Sequence, residues 1–462
     1  MRYLLIIIAS VALGLSGAAL PDSKGVAATN RPTMSDSLPP LVFPGVEKAV
    51  IGLYIEDIST GEAVAEYGAD RPLCPASIMK SVTVASVMSL YPSDQCFATR
   101  FYARGEIAGN VLHGDIVVEA SGDPTLGSAY FDNRDASRDS LVAALRNVGV
   151  DSITGAIVVD QSAIPDPSYP PGWGDDDYMW PYGAMFRGLN WRDNSYTLSL
   201  PSKKTDPYIP GLTVDFRKLR RGKMGYDAKP PLSTVKAWGN LPRKGASVLL
   251  AMPDPAAAFR YALTVALADS GIVTGGEKVP DDGPVTELAV VKSPSFPEIM
   301  RSLMHRSDNL MAEGMMRTIA PRQPRDTAAV RELALWALRG ADTDSVNIVD
   351  GSGLSRLNRI TPWFLADVLA WMARSPNAAE YATMFPRVGR EGTVKRLLAG
   401  TRLEGRLALK TGTMSGVRSL AGYLLDEEGM PVYSVVLIVN GFTCPSSKIN
   451  QAAEAFFLNF FS

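Results

Sequence analysis

The 462-residue sequence contains only three cysteines (Cys74, Cys96, Cys444) and two histidines (His113, His305), none of them in a CxxC, HExxH or finger-like spacing. That scarcity argues against a structural zinc site. No GxxxxGK[ST] or GxGxxG run occurs, so nucleotide binding has no motif to rest on. There is no excess of one charge either: 46 basic residues stand against 48 acidic ones, and no long basic run stands out. A nucleic-acid or anionic-membrane surface therefore has no electrostatic support. The chain is 46% apolar and 20% charged, the composition of a soluble globular protein, and its length fits roughly two to four domains. Any chemistry has to come from its own side chains, without metal or cofactor.

Met1-Arg2-Tyr3 precede the run LLIIIASVALGL and then the small residues Ser16-Gly17-Ala18-Ala19. A positive end, a short apolar run and a small-residue cut site read as a signal peptide over residues 1–18. The run is shorter than the roughly 20 residues of a spanning helix; an uncleaved N-terminal anchor is the alternative. Export is expected, to the periplasm or extracytoplasmic face of a bacterial envelope, where thiols can oxidise. Cys74 and Cys96 bracket a helix roughly 22 Å long. A bridge needs Cα atoms within about 7 Å, so no disulfide is assigned.

Residues 19–44 are rich in Pro, Ser, Thr and Gly and read as a flexible lead-in. AVIGLYIEDISTGEAVAEYG, from Ala49, reads as two strands joined at Ser59-Thr60-Gly61. Pro75 then opens a helix that runs to Leu90 and stops at Pro92. From residue 93 to about 290 short β-like runs recur (VLHGDIVVEASG, SITGAIVVDQSAI, NSYTLSL, GLTVDF, ASVLLAMP), with helices at Ser140–Asn147 and Asp254–Asp269. Helical patterning resumes in EIMRSLMHRSDNLMAEGMMRTIA, TAAVRELALWALRG and PWFLADVLAWMARS; strands follow in LALKTGTMSG, SLAGYLLD and VYSVVLIVNG, before a last helix over Ser447–Phe460. This order predicts one α+β domain in two parts, 45–92 and 291–462, with a β-rich insertion of one or two small domains at 93–290.

Three short motifs carry chemistry. Ser77-Ile78-Met79-Lys80 sets a hydroxyl and an amine three residues apart, neighbours on a helix face. Ser77 lies in the first turn, where the helix dipole favours developing negative charge. A neutral Lys80 amine there can take the serine proton, so no histidine is needed. Ser307-Asp308-Asn309 lies in the helical region; its hydroxyl can relay a proton and its carboxamide can hold a substrate amide. Lys410-Thr411-Gly412-Thr413 lies in a strand; the lysine supplies a positive field, the threonines can hold a carboxylate, and Gly412 leaves room for a ligand along the strand. Alone each is weak, since SxxK fits a solvated helix start and Ser-Asp-Asn fits a helix cap. Together and in this order they form the set of penicillin-binding proteins and serine β-lactamases.

With these motifs the sequence resembles the class C low-molecular-mass penicillin-binding proteins, the D-alanyl-D-alanine carboxypeptidase/endopeptidase family. The likeness spans nearly the whole mature chain. It includes Asp350-Gly351-Ser352-Gly353-Leu354-Ser355, the run at Gly122–Ser128 and the stretch around Trp173 and Tyr182. Its most specific feature is the gap of 230 residues between Ser77 and Ser307.

The resemblance implies a transpeptidase-like α+β fold, an antiparallel sheet flanked by helices, with the β-rich insertion. It implies Ser77 as acylated nucleophile, Lys80 as base, Ser307 as proton relay, Asn309 as amide binder that also orients Lys80, and Lys410 as field. Thr411, Gly412 and Thr413 would receive the terminal carboxylate, and the N–H groups of Ser77 and Thr413 would form an oxyanion hole. Ser352 and Leu354 would wall the cleft. Trp173, Asp176, Tyr182 and Arg356 would hold the free amino-acid end of a peptidoglycan side chain. LNWRDN at 189–194 departs from the tighter Leu-Asn-x-Asn pattern of the family. No cofactor is implied. The implied partners are peptidoglycan stem peptides and covalently binding β-lactams, not nucleic acid; peripheral membrane contact and oligomeric state stay open.

Other residues have blander readings. His305 and His113 read as satisfied or surface histidines, Trp336, Trp363 and Trp371 as core packing, and Glu313 as an exposed helix glutamate. A β-lactamase or esterase of the same fold, or a non-catalytic wall-binding protein, are the competing functions.

Overall fold

The computed structural model describes residues 45–131, 133–165, 167–279 and 283–461. The expected signal peptide (1–18) and lead-in (19–44) lie outside the described residues. The chain forms two compact units. The first draws its described residues from Met1–Ser89, Asp326–Val349 and Leu357–Ser462, the second from Leu90–Arg325 and Asp350–Arg356.

In the first unit the strands Leu407–Met414, Val417–Leu425, Pro431–Asn440, Val50–Asp57 and Ala63–Tyr67 form, in that order, one antiparallel sheet. The front of the chain pairs with its back, Val50 opposite Asn440 and Asp57 opposite Tyr433. Val417–Leu425 is buried at every position, so its apolar residues run without alternation from Leu420 to Leu425, behind the buried polar Arg418 and Ser419. The C-terminal helix Ser446–Phe460 buries Ile449, Ala453 and Phe457 at intervals of four, the stripe expected of an amphipathic helix. These residues share a core with Leu407, Leu409, Leu420 and Val435.

The helix Met79–Leu90 is buried from Met79 through Met88. Its polar groups therefore need internal partners. Ser86 Oγ donates to Glu332 Oε1 at 3.0 Å and accepts from Trp336 Nε1 at 2.9 Å. Trp336 meets Trp371 edge-on, centroids 5.7 Å apart, and Trp363 Nε1 donates to Asp367 at 2.8 Å. These tryptophans pack the interior.

The second unit is β-rich. Its largest sheet joins Val273–Thr274, Ser152–Ile153, Val111–Glu119, Ala98–Ala108 and Val285–Lys292, with Ile157–Asp160 parallel to Val111–Glu119. Two three-stranded sheets surround Thr234–Gly239 and Ser195–Leu200. The helix Pro255–Asp269 starts where Asp254 Oδ1 accepts from the Ala257 N–H at 3.1 Å, with proline in its first turn. The unit also takes in the helices Phe296–Arg306 and Asn309–Thr318, which lie beyond residue 290.

Candidate active site

The expected site residues divide between the units. Ser77, Lys80 and Lys410–Thr413 belong to the first; Ser307, Asn309, Trp173, Asp176, Tyr182, Ser352, Leu354 and Arg356 belong to the second. Each group has its own geometry.

In the first unit, Ala76–Ile78 forms a single 3-10 turn ahead of the helix Met79–Leu90. Ala76 enters it at φ +49°, a left-handed conformation costing about 1–3 kcal/mol in a non-glycine residue. The approach is pinned from the sheet. Asn440 accepts from the Cys74 N–H at 2.8 Å and donates to the Cys74 carbonyl at 3.1 Å. Ser419 Oγ donates to the Pro75 carbonyl at 2.6 Å. At the far end, Tyr381 donates its hydroxyl to the Ser81 carbonyl at 2.8 Å. The turn that carries Ser77 is thus held by strands distant in sequence.

Ser77 is half-buried and Lys80 wholly buried. Lys80 Nζ donates to Ser77 Oγ at 3.1 Å. The Lys410 strand runs directly against this turn. A Cβ at Gly412 would come within 2.7 Å of the Pro75 carbonyl oxygen and 3.0 Å of the Ser77 nitrogen, and would collide with Ser419 Oγ. Glycine is required for that approach.

Lys410 is fully buried, with Nζ donating to the Thr411 carbonyl at 2.7 Å. Burial holds its amine well below the usual lysine range, helped by the charges of Lys80 and then Arg418. Thr411 is buried and donates to Thr393 Oγ1 at 2.8 Å, while Thr413 is exposed and accepts from Arg418 Nη1 at 2.5 Å. The structure therefore brings Ser77, Lys80 and the Lys410–Thr413 strand together, with Thr393 and Arg418 beside the strand. The sequence held a signal for Arg418: the short Ser415-Gly416 loop sets Thr413 opposite Arg418 across a hairpin.

In the second unit, the run read as one helical stretch breaks at Ser307, which takes φ +62°. Asp308 then caps the next helix, its Oδ1 accepting from the Met311 N–H at 2.9 Å. Asn309, at the first turn, donates from Nδ2 to the Tyr182 carbonyl at 2.7 Å.

Several expected pocket residues sit differently. Tyr182 donates its hydroxyl to Asp177 Oδ1 at 2.9 Å, and burial with that carboxylate pushes its phenol up to about 12. Asp176 is fully exposed and pairs with Lys229 at 2.9 Å, so the carboxylate beside Tyr182 is Asp177, one residue on. Trp173 is buried, and its Nε1 donates to Asp350 Oδ2 at 2.7 Å.

Asp350 organises its own loop, accepting also from the Gly353 N–H at 2.8 Å and the Ser355 N–H at 2.6 Å. Ser355 Oγ donates to the Pro171 carbonyl at 2.6 Å and the Arg356 N–H to the Gly172 carbonyl at 3.3 Å. The Arg356 side chain is exposed and Leu354 half-buried. Ser352 is fully buried, and its N–H donates to Glu313 Oε1 at 3.0 Å. It supports the loop from inside. Glu313 corrects the surface reading: it is buried and ion-paired with Arg325 at 2.7 Å.

A family model described as the D-Ala-D-Ala carboxypeptidase 3 (S13) family matches residues 41–458. A D-alanyl-D-alanine carboxypeptidase of Actinomadura sp. (strain R39) is 28% identical, the match covering 95% of this chain and 86% of the relative. The D-alanyl-D-alanine carboxypeptidase DacB of Haemophilus influenzae is 24% identical, with 86% of each covered. The crystal structure of penicillin binding protein 4 from Haemophilus influenzae superposes with a TM-score of 0.78 at 21% identity, over 90% of this chain and 97% of that one. It has the same fold, and has also been solved with a β-lactam.

Proposed function

The chain belongs to the D-Ala-D-Ala carboxypeptidase 3 (S13) family, and from that premise we propose that it cleaves peptidoglycan stem peptides through an acyl-enzyme on Ser77. One observation carries the assignment: Lys80 Nζ lies 3.1 Å from Ser77 Oγ, on a side chain withdrawn from water.

Ser77 Oγ attacks the carbonyl carbon of the penultimate D-alanine, and its proton passes to the neutral Lys80 amine. Backbone N–H groups of Ser77 and Thr413 hold the oxyanion, a contribution worth about 2.7–4 kcal/mol per donor in comparable sites. As the C–N bond breaks, the proton taken by Lys80 is relayed through Ser307 to the leaving amine, which returns Lys80 to its neutral form, and Asn309 holds the substrate amide. Water then attacks the acyl ester and gives a proton to Lys80, which returns it to Ser77 Oγ as the acyl group leaves. A leaving D-alanine makes the reaction a carboxypeptidase step; a leaving cross-linked residue makes it an endopeptidase step.

Tyr182 and Asp177, both in the second unit, offer a polar pair for the amino-acid end of the stem side chain. Peptidoglycan lies outside the cytoplasmic membrane, and the apolar run with small residues after it at 1–18 is in keeping with export to that side. A β-lactam, which presents a strained amide to the same serine, is expected to acylate it and stay.

The test is intact-mass analysis after exposure to benzylpenicillin, followed by peptide mapping. The added mass should map to the peptide containing Ser77 and vanish in Ser77→Ala. Labelling that survives in that variant removes Ser77 as the nucleophile.

A further inference from the structure

Arg418 is 8% exposed, yet all its partners are neutral. Nη1 donates to Thr413 Oγ1 at 2.5 Å and to the Gly412 carbonyl at 3.4 Å, and Nε donates to Asn450 Oδ1 at 2.7 Å, on the C-terminal helix. No carboxylate pairs with it among the described residues. A buried guanidinium without a counter-charge is costly, and burial here pushes it down to about 10. The missing partner is an anion, and none of the described residues supplies it.

The two threonines differ in what they can offer one. A hydroxyl has one hydrogen to donate. Thr411 already donates its own to Thr393. Thr413 only accepts, from Arg418, so its hydrogen remains for a ligand. The side chain is exposed as well. Arg418 thus supplies both a positive charge and a correctly turned hydroxyl beside Gly412, next to the Ser77 turn.

We propose that Arg418, held by Asn450 and acting with Thr413, selects substrates that carry a free α-carboxylate on the leaving residue. This rests on the reading of Ser77 as the acylated serine, and it assigns carboxylate recognition to a residue outside the three motifs, with Thr413 rather than Thr411 as its partner. Arg418 is a specificity residue; the acylation steps do not pass through it.

The test compares two acyl donors on wild type, Arg418→Ala and Asn450→Ala. One is an N-acylated D-Ala-D-Ala peptide with a free carboxylate; the other is an N-acylated D-alanyl thioester with a neutral leaving group. Charge-assisted hydrogen bonds of this type correspond to roughly a 10- to 100-fold change in kcat/KM. Arg418→Ala should lose about that much on the peptide, while the thioester stays within about three-fold. Equal losses on both donors, or no loss on the peptide, overturn the proposal. If Arg418→Ala does not fold, Asn450→Ala carries the test: the charge stays but its aim is lost, so KM should rise several-fold for the peptide alone. No such rise, or one shared by the thioester, overturns it. A wild type inert to both donors brings down the Ser77 reading itself, and that result is recognisable because it needs no variant.

Discussion

The Glu313 carboxylate meets the Arg325 guanidinium at 2.7 Å, with side chains only 1% and 4% exposed. Its second oxygen accepts from the Ser352 N–H at 3.0 Å, and Arg325 Nη2 reaches the Ser168 carbonyl at 2.7 Å. One ion pair thereby ties the Asn309–Thr318 helix, the Asp350 loop and the Ser168 segment within the second unit. Burial raises the carboxyl above its usual range, as does the charge of Asp350, while Arg325 opposes both.

Removing one partner leaves a buried charge uncompensated, which costs about 3–5 kcal/mol. Glu313→Ala should therefore melt several degrees lower. At a temperature where it remains folded, the lifetime of its penicilloyl-enzyme should match wild type, since the carboxylate is committed to Arg325 and Ser352. Unchanged melting, or an acyl-enzyme that persists far longer, would show a different role.

Lys410 is wholly buried beside Lys80, so it does not behave as the solvated strand lysine that its type suggests. Lys410→Met keeps the length and removes the amine. It should slow acylation of Ser77 by roughly two orders of magnitude, because the amine's polar support for the transition state is lost. Stability should respond in the other direction. The folded amine titrates below the ordinary lysine value of about 10.5. Between those two points the unfolded chain binds more protons, so wild-type stability climbs as pH rises. Lys410→Met lacks that rise. Melting curves from pH 7 to pH 10 should show a flatter trend for the variant and no loss of stability at neutral pH. A steep loss at pH 7, with acylation intact, would count against both the burial cost and the catalytic role.

Much of this was legible in the residues. SxxK, SDN and KTGT were legible as short motifs of chemically suited side chains, and the first and third do meet around Ser77 in the first unit. The terminal helix was legible from Ile449, Ala453 and Phe457. The strand Ala98–Ala108 was not. Its buried Thr99, Phe101 and Ala103 do alternate with outer residues, but two of the three are weakly apolar, and Arg100 and Tyr102 separate them. The break at Ser307 was hidden as well, because apolar spacing continues through it while a left-handed φ leaves no trace in periodicity. Whether a polar residue is exposed was the least legible property. Glu313 reads as a surface residue, and nothing in the sequence shows that Lys410 and Arg418 are buried, until their neighbours in the fold are seen.

The distinction between Asp176 and Asp177 is the clearest case, since three successive aspartates give no register by themselves. Tyr182 selects Asp177 at 2.9 Å, and Lys229 takes Asp176 into solvent. If the Tyr182–Asp177 pair holds the amino-acid end of a stem side chain, Asp177→Asn removes the charge that a ligand ammonium would meet. Exposed charge–charge contacts are worth about 0.2–1 kcal/mol and charged hydrogen bonds about 1.5–3 kcal/mol. A loss of roughly 5- to 50-fold in kcat/KM is therefore expected for a peptide with the full side chain. Acylation by a simple thioester, which has no such end, should stay near wild type. Asp176→Asn should leave both rates unchanged, because its partner is a surface lysine. Equal effects of the two aspartates, or equal losses on the two substrates, would remove the Tyr182–Asp177 pair as a side-chain pocket.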